Sequence, residues 1–283
     1  MKGLVPYTIN CNGRLFDLSE PCVMGILNVT PDSFYAGSRK QGEDAIRSRV
    51  RQIIDEGGRI IDIGAYSSRP GADDVPQEEE MQRLRKGLKI IFEEVPDAIV
   101  SVDTFRADVA KMCVDEYGAA IINDISGGTF DKQMFDTVAA LKVPYILMHI
   151  QGTIQTMQQH PHYGNITKEV CMYFAEKVQQ LRDRGAGDII LDPGFGFGKT
   201  LAHNYELLEH MDLLKVFKLP VLVGVSRKSM IYRLLGGRPE EALNGTTVLN
   251  TVSLLKGANI LRVHDVKPCV EAVKIVQAML TNN

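Results

Sequence analysis

The residues of this chain that could do chemistry stand at the ends of short apolar runs. They are Asn28, Asp62, Asp103, Asn123 with Asp124, His149, Asp192, Ser226-Arg227-Lys228, and Arg262 with His264. A lone aspartate at a strand end reads most simply as a helix cap or a loop hydrogen bond. When every run ends in groups that are costly to bury unpaired, one shared site is the better reading. The carboxylates and amides suit a flat heterocycle with adjacent N–H donors, because a carboxylate accepts two parallel hydrogen bonds, as it does from an arginine fork. Arg69, Arg262 and His264 have the opposite polarity and suit phosphate. His264 and Asp265 also open the last helical segment, and a helix N-terminus favours anions.

Other chemistries fit less well. DPGFGFGKT ends in Gly198-Lys199-Thr200 like a nucleotide phosphate loop, but Pro193 occupies the place of its first glycine. The dinucleotide pattern fails in the same segment, where Lys199 replaces the third glycine. His160-Pro161-His162 brings no third ligand for zinc. Ser226, His149 and Asp192 occur without the G-x-S-x-G elbow that presents a nucleophile.

The elements that must position these groups repeat. Apolar runs with the continuous character of buried parallel strands begin near Cys22, Ile60, Ile99, Ala119, Pro144, Asp188, Pro220 and Asn259. Between them lie helical stripes, such as Met81, Leu84, Leu88, Ile91, Phe92 and Val95, or Ile166, Val170, Phe174, Val178 and Leu181. Gly57-Gly58, Gly118, Gly185 and Gly257 fall where those helices should stop. Strand and helix alternating in this way predict an α/β protein, a (β/α)8 TIM barrel, whose active site lies at the carboxyl ends of the strands. Residues 1–20 predict a short N-terminal β-hairpin, with Tyr7–Asn10 and Leu15–Leu18 around an Asn12-Gly13 turn, plugging the barrel floor. Glycine and proline are dense in the loops NVTPDSF, SSRPGA, DISGG and DPGFGFGKT, where backbone N–H groups can approach a ligand.

Bulk properties agree with one barrel domain over 1–283. The chain has 283 residues, 45% hydrophobic and 24% charged, with net charge −3, so no basic excess suggests nucleic acid or membrane as partner. Five scattered cysteines without a C-x-x-C pair, and no apolar run long enough for a signal or a span, predict a cytoplasmic protein.

The ordered set NVTPDSF, SSRPGA, VDTF, NDISGG, LMH, LDPGFGFGKT, GVSRKS and RVHDV, one motif per strand end, resembles the dihydropteroate synthase family across essentially the whole chain. The resemblance implies condensation of 7,8-dihydropterin-6-ylmethyl diphosphate with p-aminobenzoate, releasing diphosphate and forming 7,8-dihydropteroate for folate biosynthesis. It implies Mg2+ on the diphosphate, a homodimer, and inhibition by sulfonamides that mimic p-aminobenzoate. By the same resemblance Asp103, Asn123, Met148, Asp192 and Lys228 bind the pterin. Asn28 meets the metal and, with Arg69, Arg262 and His264, the diphosphate. Phe34, Ser68, Pro70, Phe197 and Ser229 border the p-aminobenzoate site. Asn28, Arg69, Lys228, Arg262 and His264 are the candidate catalytic residues.

Two positions depart from the pattern. NVTPDSF is followed in relatives by Ser-Asp-Gly-Gly but here by Tyr35-Ala36-Gly37-Ser38, which removes an acid near the metal and leaves Asp32 as a further candidate. Where relatives read Gly-Glu-Ser-Thr-Arg-Pro-Gly, this chain has Ala65-Tyr66-Ser67-Ser68-Arg69-Pro70-Gly71. Pterin methyltransferases share single motifs but need no diphosphate clamp, and a barrel that binds pterin without turnover is the remaining alternative.

Overall fold

The computed structural model describes residues 7–29, 39–66 and 75–281. Asn12 and Gly13 both have positive φ, 55° and 79°, the requirement of a two-residue hairpin turn, and they join β1 (Thr8–Cys11) directly to β2 (Arg14–Asp17). The strands therefore sit one residue closer to the turn than the composition alone suggested.

Among the described residues eight parallel strands follow: β3 (Cys22–Asn28), β4 (Ile60–Gly64), β5 (Val100–Asp103), β6 (Ile121–Asp124), β7 (Tyr145–Met148), β8 (Ile189–Asp192), β9 (Leu222–Val223) and β10 (Ile260–Val263). They pair in the order β8-β7-β6-β5-β4-β3-β10-β9, and a parallel bridge between Leu191 and Val221 closes the ring. The runs beginning at Pro144 and Pro220 enter the ladder later than their apolar character implies, because proline has no N–H to donate. Outside the ring lie α1 (Arg39–Asp55), α2 (Gln77–Glu94), α3 (Ala107–Tyr117), α4 (Met134–Leu141), α5 (Ile166–Asp183), α6 (Leu201–Glu209), α7 (Ser229–Leu235), α8 (Leu243–Lys256) and α9 (Val266–Thr281). Left-handed glycines Gly118 and Gly257 cap α3 and α8.

Strand alternation sorts the side chains into two cores. Val23, Leu27, Ile61, Ile63, Val100, Val102, Ile122, Leu147 and Leu191 point outward into the layer shared with the helices. Met24, Ile60, Ile121, Ile146, Ile190, Leu222 and Ile260 point inward near the strand starts. There they pack with Ile9, Cys11, Phe16 and Leu18 of the hairpin, which does plug the floor. The hairpin is tied to the barrel by Asn10 N–H donating to Asp188 and by the Asn12 amide donating to the Gly118 carbonyl. No helix among the described residues is long and apolar enough to cross a membrane.

Candidate active site

Two residues beyond the apolar floor, the same inward positions become polar. Asp62, Asp103, Asn123, Asp192 and Arg262 occupy one level of the barrel mouth, with Met148 beside them. Arg262 is the hub: its Nε donates to Asp62 Oδ2 at 2.6 Å and its Nη2 to Asp103 Oδ2 at 2.8 Å. The Asn123 amide donates to Asp62 at 3.3 Å. Burial opposes the charge on Arg262, but Asp62 and Asp103 outweigh it and hold the guanidinium above its ordinary pKa. Burial pushes the Asp103 carboxyl up to about 7, with Arg262 opposing and Asp62 adding to the rise. Asp192, also raised by burial against the pull of Lys228, accepts from the Gly194 N–H at 2.7 Å.

Lys228 enters the mouth from the turn before α7. Its Nζ donates to the Phe195 carbonyl at 2.5 Å and lies 4.6 Å from the centroid of the Phe197 ring. Burial lowers its pKa to about 8, with Asp192 opposing the drop. Lys228 is aimed by its neighbour: Arg227 adopts φ 54°, rare for a side-chain-bearing residue, and is locked there by a two-pronged ion pair with Asp265. Ser229, half-buried, begins α7 beside Lys228, and Phe197 rims the same side of the mouth.

Next to this side in the ring, exposed Asn28 ends β3, and it lines a pocket of about 270 Å³ with Arg49 and His264. Ser226 Oγ accepts from the His264 backbone N–H at 3.1 Å and lies 3.0 Å from its Nδ1. With the Ser226 proton directed to Nδ1, the neutral ring carries its own proton on Nε2. Burial, then Arg262, lowers the His264 pKa to about 4, so at neutral pH it offers a hydrogen bond and no charge. Arg49, a helix residue that nothing in the sequence marks out, donates to the carbonyls of His264 at 2.6 Å and Ile26 at 3.2 Å. Asp32, Phe34, Ala36, Ser68, Arg69 and Pro70 lie outside the described residues.

Some strand-end groups serve the loops instead. Asp124, one residue past Asn123, faces away from the mouth and accepts from the N–H groups of Ser126 and Gly128 and from the Tyr145 hydroxyl. His149, likewise one residue past Met148, contacts buried Lys199. The Lys199 Nζ lies near four acceptors, His149 Nδ1 at 3.0 Å and the carbonyls of Gly194, Phe197 and His149 at 2.8, 3.0 and 3.4 Å, enough to satisfy every proton of an ammonium. Burial lowers Lys199 to about 7 and His149 to about 2, the latter also through the charge of Lys199. The glycines of this loop are sterically required: at Gly194, with φ 68°, a Cβ would fall 2.0 Å from the His149 carbonyl oxygen. The segment that mimics a phosphate loop is thus a loop stapled by its own lysine.

Asp62 and Tyr66 carry more than the sequence reading gave them. Strand parity was the available signal for Asp62, since it follows inward-facing Ile60 by two residues. Tyr66, noted only as a departure, donates its hydroxyl to Asp103 Oδ1 at 2.6 Å.

Comparison with known proteins agrees with this geometry. The family model described as pterin binding enzyme matches residues 24–264. Dihydropteroate synthase of Escherichia coli (strain K12) is 43% identical over 272 residues, covering 95% of both chains. A Yersinia pestis dihydropteroate synthase solved as a sulfonamide drug complex superposes with TM-score 0.90 at 39% identity, covering 97% of this chain and all of that one. The Xanthomonas albilineans enzyme solved with 4-aminobenzoic acid superposes with TM-score 0.88 at 36% identity, covering 98% and 99% of the two chains. A polar ring on a (β/α)8 barrel, with relatives alike over almost their full length, places the chain in the dihydropteroate synthase family of transferases.

Proposed function

We propose that this enzyme condenses 7,8-dihydropterin-6-ylmethyl diphosphate with p-aminobenzoate to give 7,8-dihydropteroate and diphosphate. The observation that carries the reading is the level of Asp62, Asp103, Asn123 and Asp192 around Arg262, bordered along the adjacent strands β9, β10 and β3 by Lys228, His264 and Asn28. The carboxylates and Asn123 accept and donate along an amino-pyrimidinone edge, while Met148 packs against the ring. Lys228 over Phe197 closes the side on which Ser229 would receive the aromatic amine; the family resemblance assigns Phe34, Ser68 and Pro70 to the same ligand.

The nucleophile is an arylamine, already neutral at pH 7, so no histidine base is needed to activate it. What the chain must supply is stabilisation of the leaving diphosphate, through Arg69, Arg262, the His264 Nε2–H and the helix N-terminus that follows. Electron donation from the dihydropterin ring then lets C–O cleavage run ahead of attack at the methylene carbon. Asn28 offers one hard oxygen, and no cluster of three acidic, histidine or cysteine ligands occurs among the described residues. That donor set suits a Mg2+ ion held chiefly by water and diphosphate oxygens. When bound, the ion neutralises charge developing on the leaving group.

A homodimer is supported by an apolar surface across α7 to α9, where Leu234, Leu235, Leu243, Val248, Leu255 and Ile275 are exposed. A groove of about 380 Å³ between α8 and α9 runs through it. The five cysteines form no disulfide and four of them are buried, which fits a cytoplasmic enzyme. Sulfonamides would compete at the p-aminobenzoate side. Mixing the protein with both substrates and Mg2+ should release diphosphate and dihydropteroate together. Formation of neither would overturn the proposal.

A further inference from the structure

Asp103 ends β5 with both carboxylate oxygens engaged. Oδ2 accepts from Arg262 at 2.8 Å, and Oδ1 accepts from the hydroxyl of Tyr66 at 2.6 Å. Tyr66 follows β4 by two residues and is itself braced. Its ring meets Phe105 edge-on, with centroids 5.1 Å apart at 74°, and Phe105 meets Phe130 in the same way at 5.5 Å and 79°. Phe105 lies two residues beyond Asp103, and the Arg106 guanidinium lies 5.0 Å from its centroid. The stack therefore joins the end of β4 to the end of β5 and to the loop after β6.

We propose that Tyr66 is a positioning residue for the pterin reaction, fixing the plane of the Asp103 carboxylate through its hydroxyl. The inference rests on the reading that Asp103 binds the pterin. The χ2 torsion of an aspartate is broad and soft, so a carboxylate held through one oxygen can turn. Held through both, it presents its remaining lone pairs in one direction. A flat heterocycle read by parallel hydrogen bonds needs its partner aligned within about 10–20°. An ionised carboxylate at this position could not donate to Asp103 and would repel it.

The hydroxyl also favours the charged form of Asp103. The charged and titratable groups facing that carboxyl are Asp62 from β4, Tyr66 beyond it, Glu80 from α2, Arg262 from β10 and Lys228 from the turn before α7. Burial raises the carboxyl most, Arg262 lowers it, Asp62 raises it, the Tyr66 hydrogen bond lowers it and Glu80 raises it. Burial, and then Asp103, hold the Tyr66 hydroxyl far above its ordinary pKa, so it remains a donor throughout the working range.

Tyr66→Phe keeps the ring and its stack while removing the donor. In the ligand-free enzyme the 13Cγ titration of Asp103, assigned by its loss in Asp103→Asn, should move to higher pH by about half a unit or more. Equilibrium binding of 7,8-dihydropterin-6-ylmethyl diphosphate near pH 7 should weaken about five- to tenfold, the scale of one lost hydrogen bond, while the KM for p-aminobenzoate stays within about twofold. Phe105→Leu, which loosens the brace but leaves the hydroxyl, should weaken pterin binding by a smaller factor, about two- to threefold. An unmoved Asp103 midpoint in Tyr66→Phe overturns the inference, and so does unchanged pterin affinity. If the wild-type protein fails to bind the dihydropterin diphosphate, the functional reading fails instead, and the ligand-free titration still judges the Tyr66 contact.

Discussion

The same strands build two rings two residues apart, and the rings obey opposite rules. At the floor Met24, Ile60, Ile121, Ile146, Ile190, Leu222 and Ile260 are sealed by the hairpin into an apolar plug. At the mouth Asp62, Asp103, Asn123, Asp192 and Arg262 are almost as deeply placed, yet they are charged or amide groups, four of which partner one another while Asp192 accepts from the Gly194 N–H. Burial stabilises the first ring directly. In the second it costs free energy that ion pairs and hydrogen bonds must offset. Stability in this barrel is therefore concentrated at one end and the proposed function at the other, as expected where the active site lies at the strand C-termini.

The contrast breaks most sharply at Arg262. Arg262→Met should leave Asp62 and Asp103 facing each other without their cation, which for a buried pair costs about 3–5 kcal/mol. It should also lower the rate of diphosphate release, even without p-aminobenzoate, by a factor of about 100 or more. Urea unfolding and single-turnover release measure the two effects, and the mouth is not the functional ring if only the first appears. The matching floor change is Ile190→Ala, at a fully buried side chain. It should cost about 2–5 kcal/mol of stability while leaving kcat/KM for both substrates within about threefold, because no group at the mouth loses a partner.

A third test uses pH to set the two rings against each other. Asp103 is raised to about 7, so its proton is held more tightly in the folded protein than in the unfolded chain. Its contribution to stability is then fully present below about pH 4 and is lost as pH rises through about 7. Pterin recognition runs the other way, since only the ionised carboxylate accepts two hydrogen bonds. The kcat/KM for the dihydropterin substrate should rise with pH up to about 7, by as much as tenfold per unit, while this stability component falls. Asp103→Asn should flatten both slopes, and a surviving acid limb would assign it to another group.

The eight-strand order, the hairpin and the inward polar level were legible because each depends on local pattern: continuous apolar runs, an Asn-Gly turn, and polar residues at run ends. Which strand-end residue faces the mouth was legible only through parity. Adjacent Asn123 and Asp124 point to opposite sides, and Met148 and His149 do the same. The pairings of Arg262 with two carboxylates, of Tyr66 with Asp103 and of Arg49 with the His264 carbonyl were not legible. Each joins residues from 37 to 215 positions apart through tertiary packing of the barrel, which no local signal encodes.

The smallest effect is expected at the hairpin, where it can be separated from chemistry altogether. Asn12 sits at φ 55° and its amide donates to the Gly118 carbonyl at 2.6 Å, tying the floor plug to the cap of α3. Asn12→Ala removes that bond and places a residue without a local hydrogen-bonding side chain in the left-handed region, at a cost of about 1–2 kcal/mol. Asn12→Gly also loses the bond but relieves the backbone, so it should cost about 1 kcal/mol less than the alanine variant. Neither should change KM for either substrate or the pH at which activity appears. Thermal unfolding orders the three proteins, and steady-state kinetics tests whether the floor is separate from the mouth. If either variant moved a Michaelis constant, the hairpin would be part of the site's support, and the division between the rings would not hold.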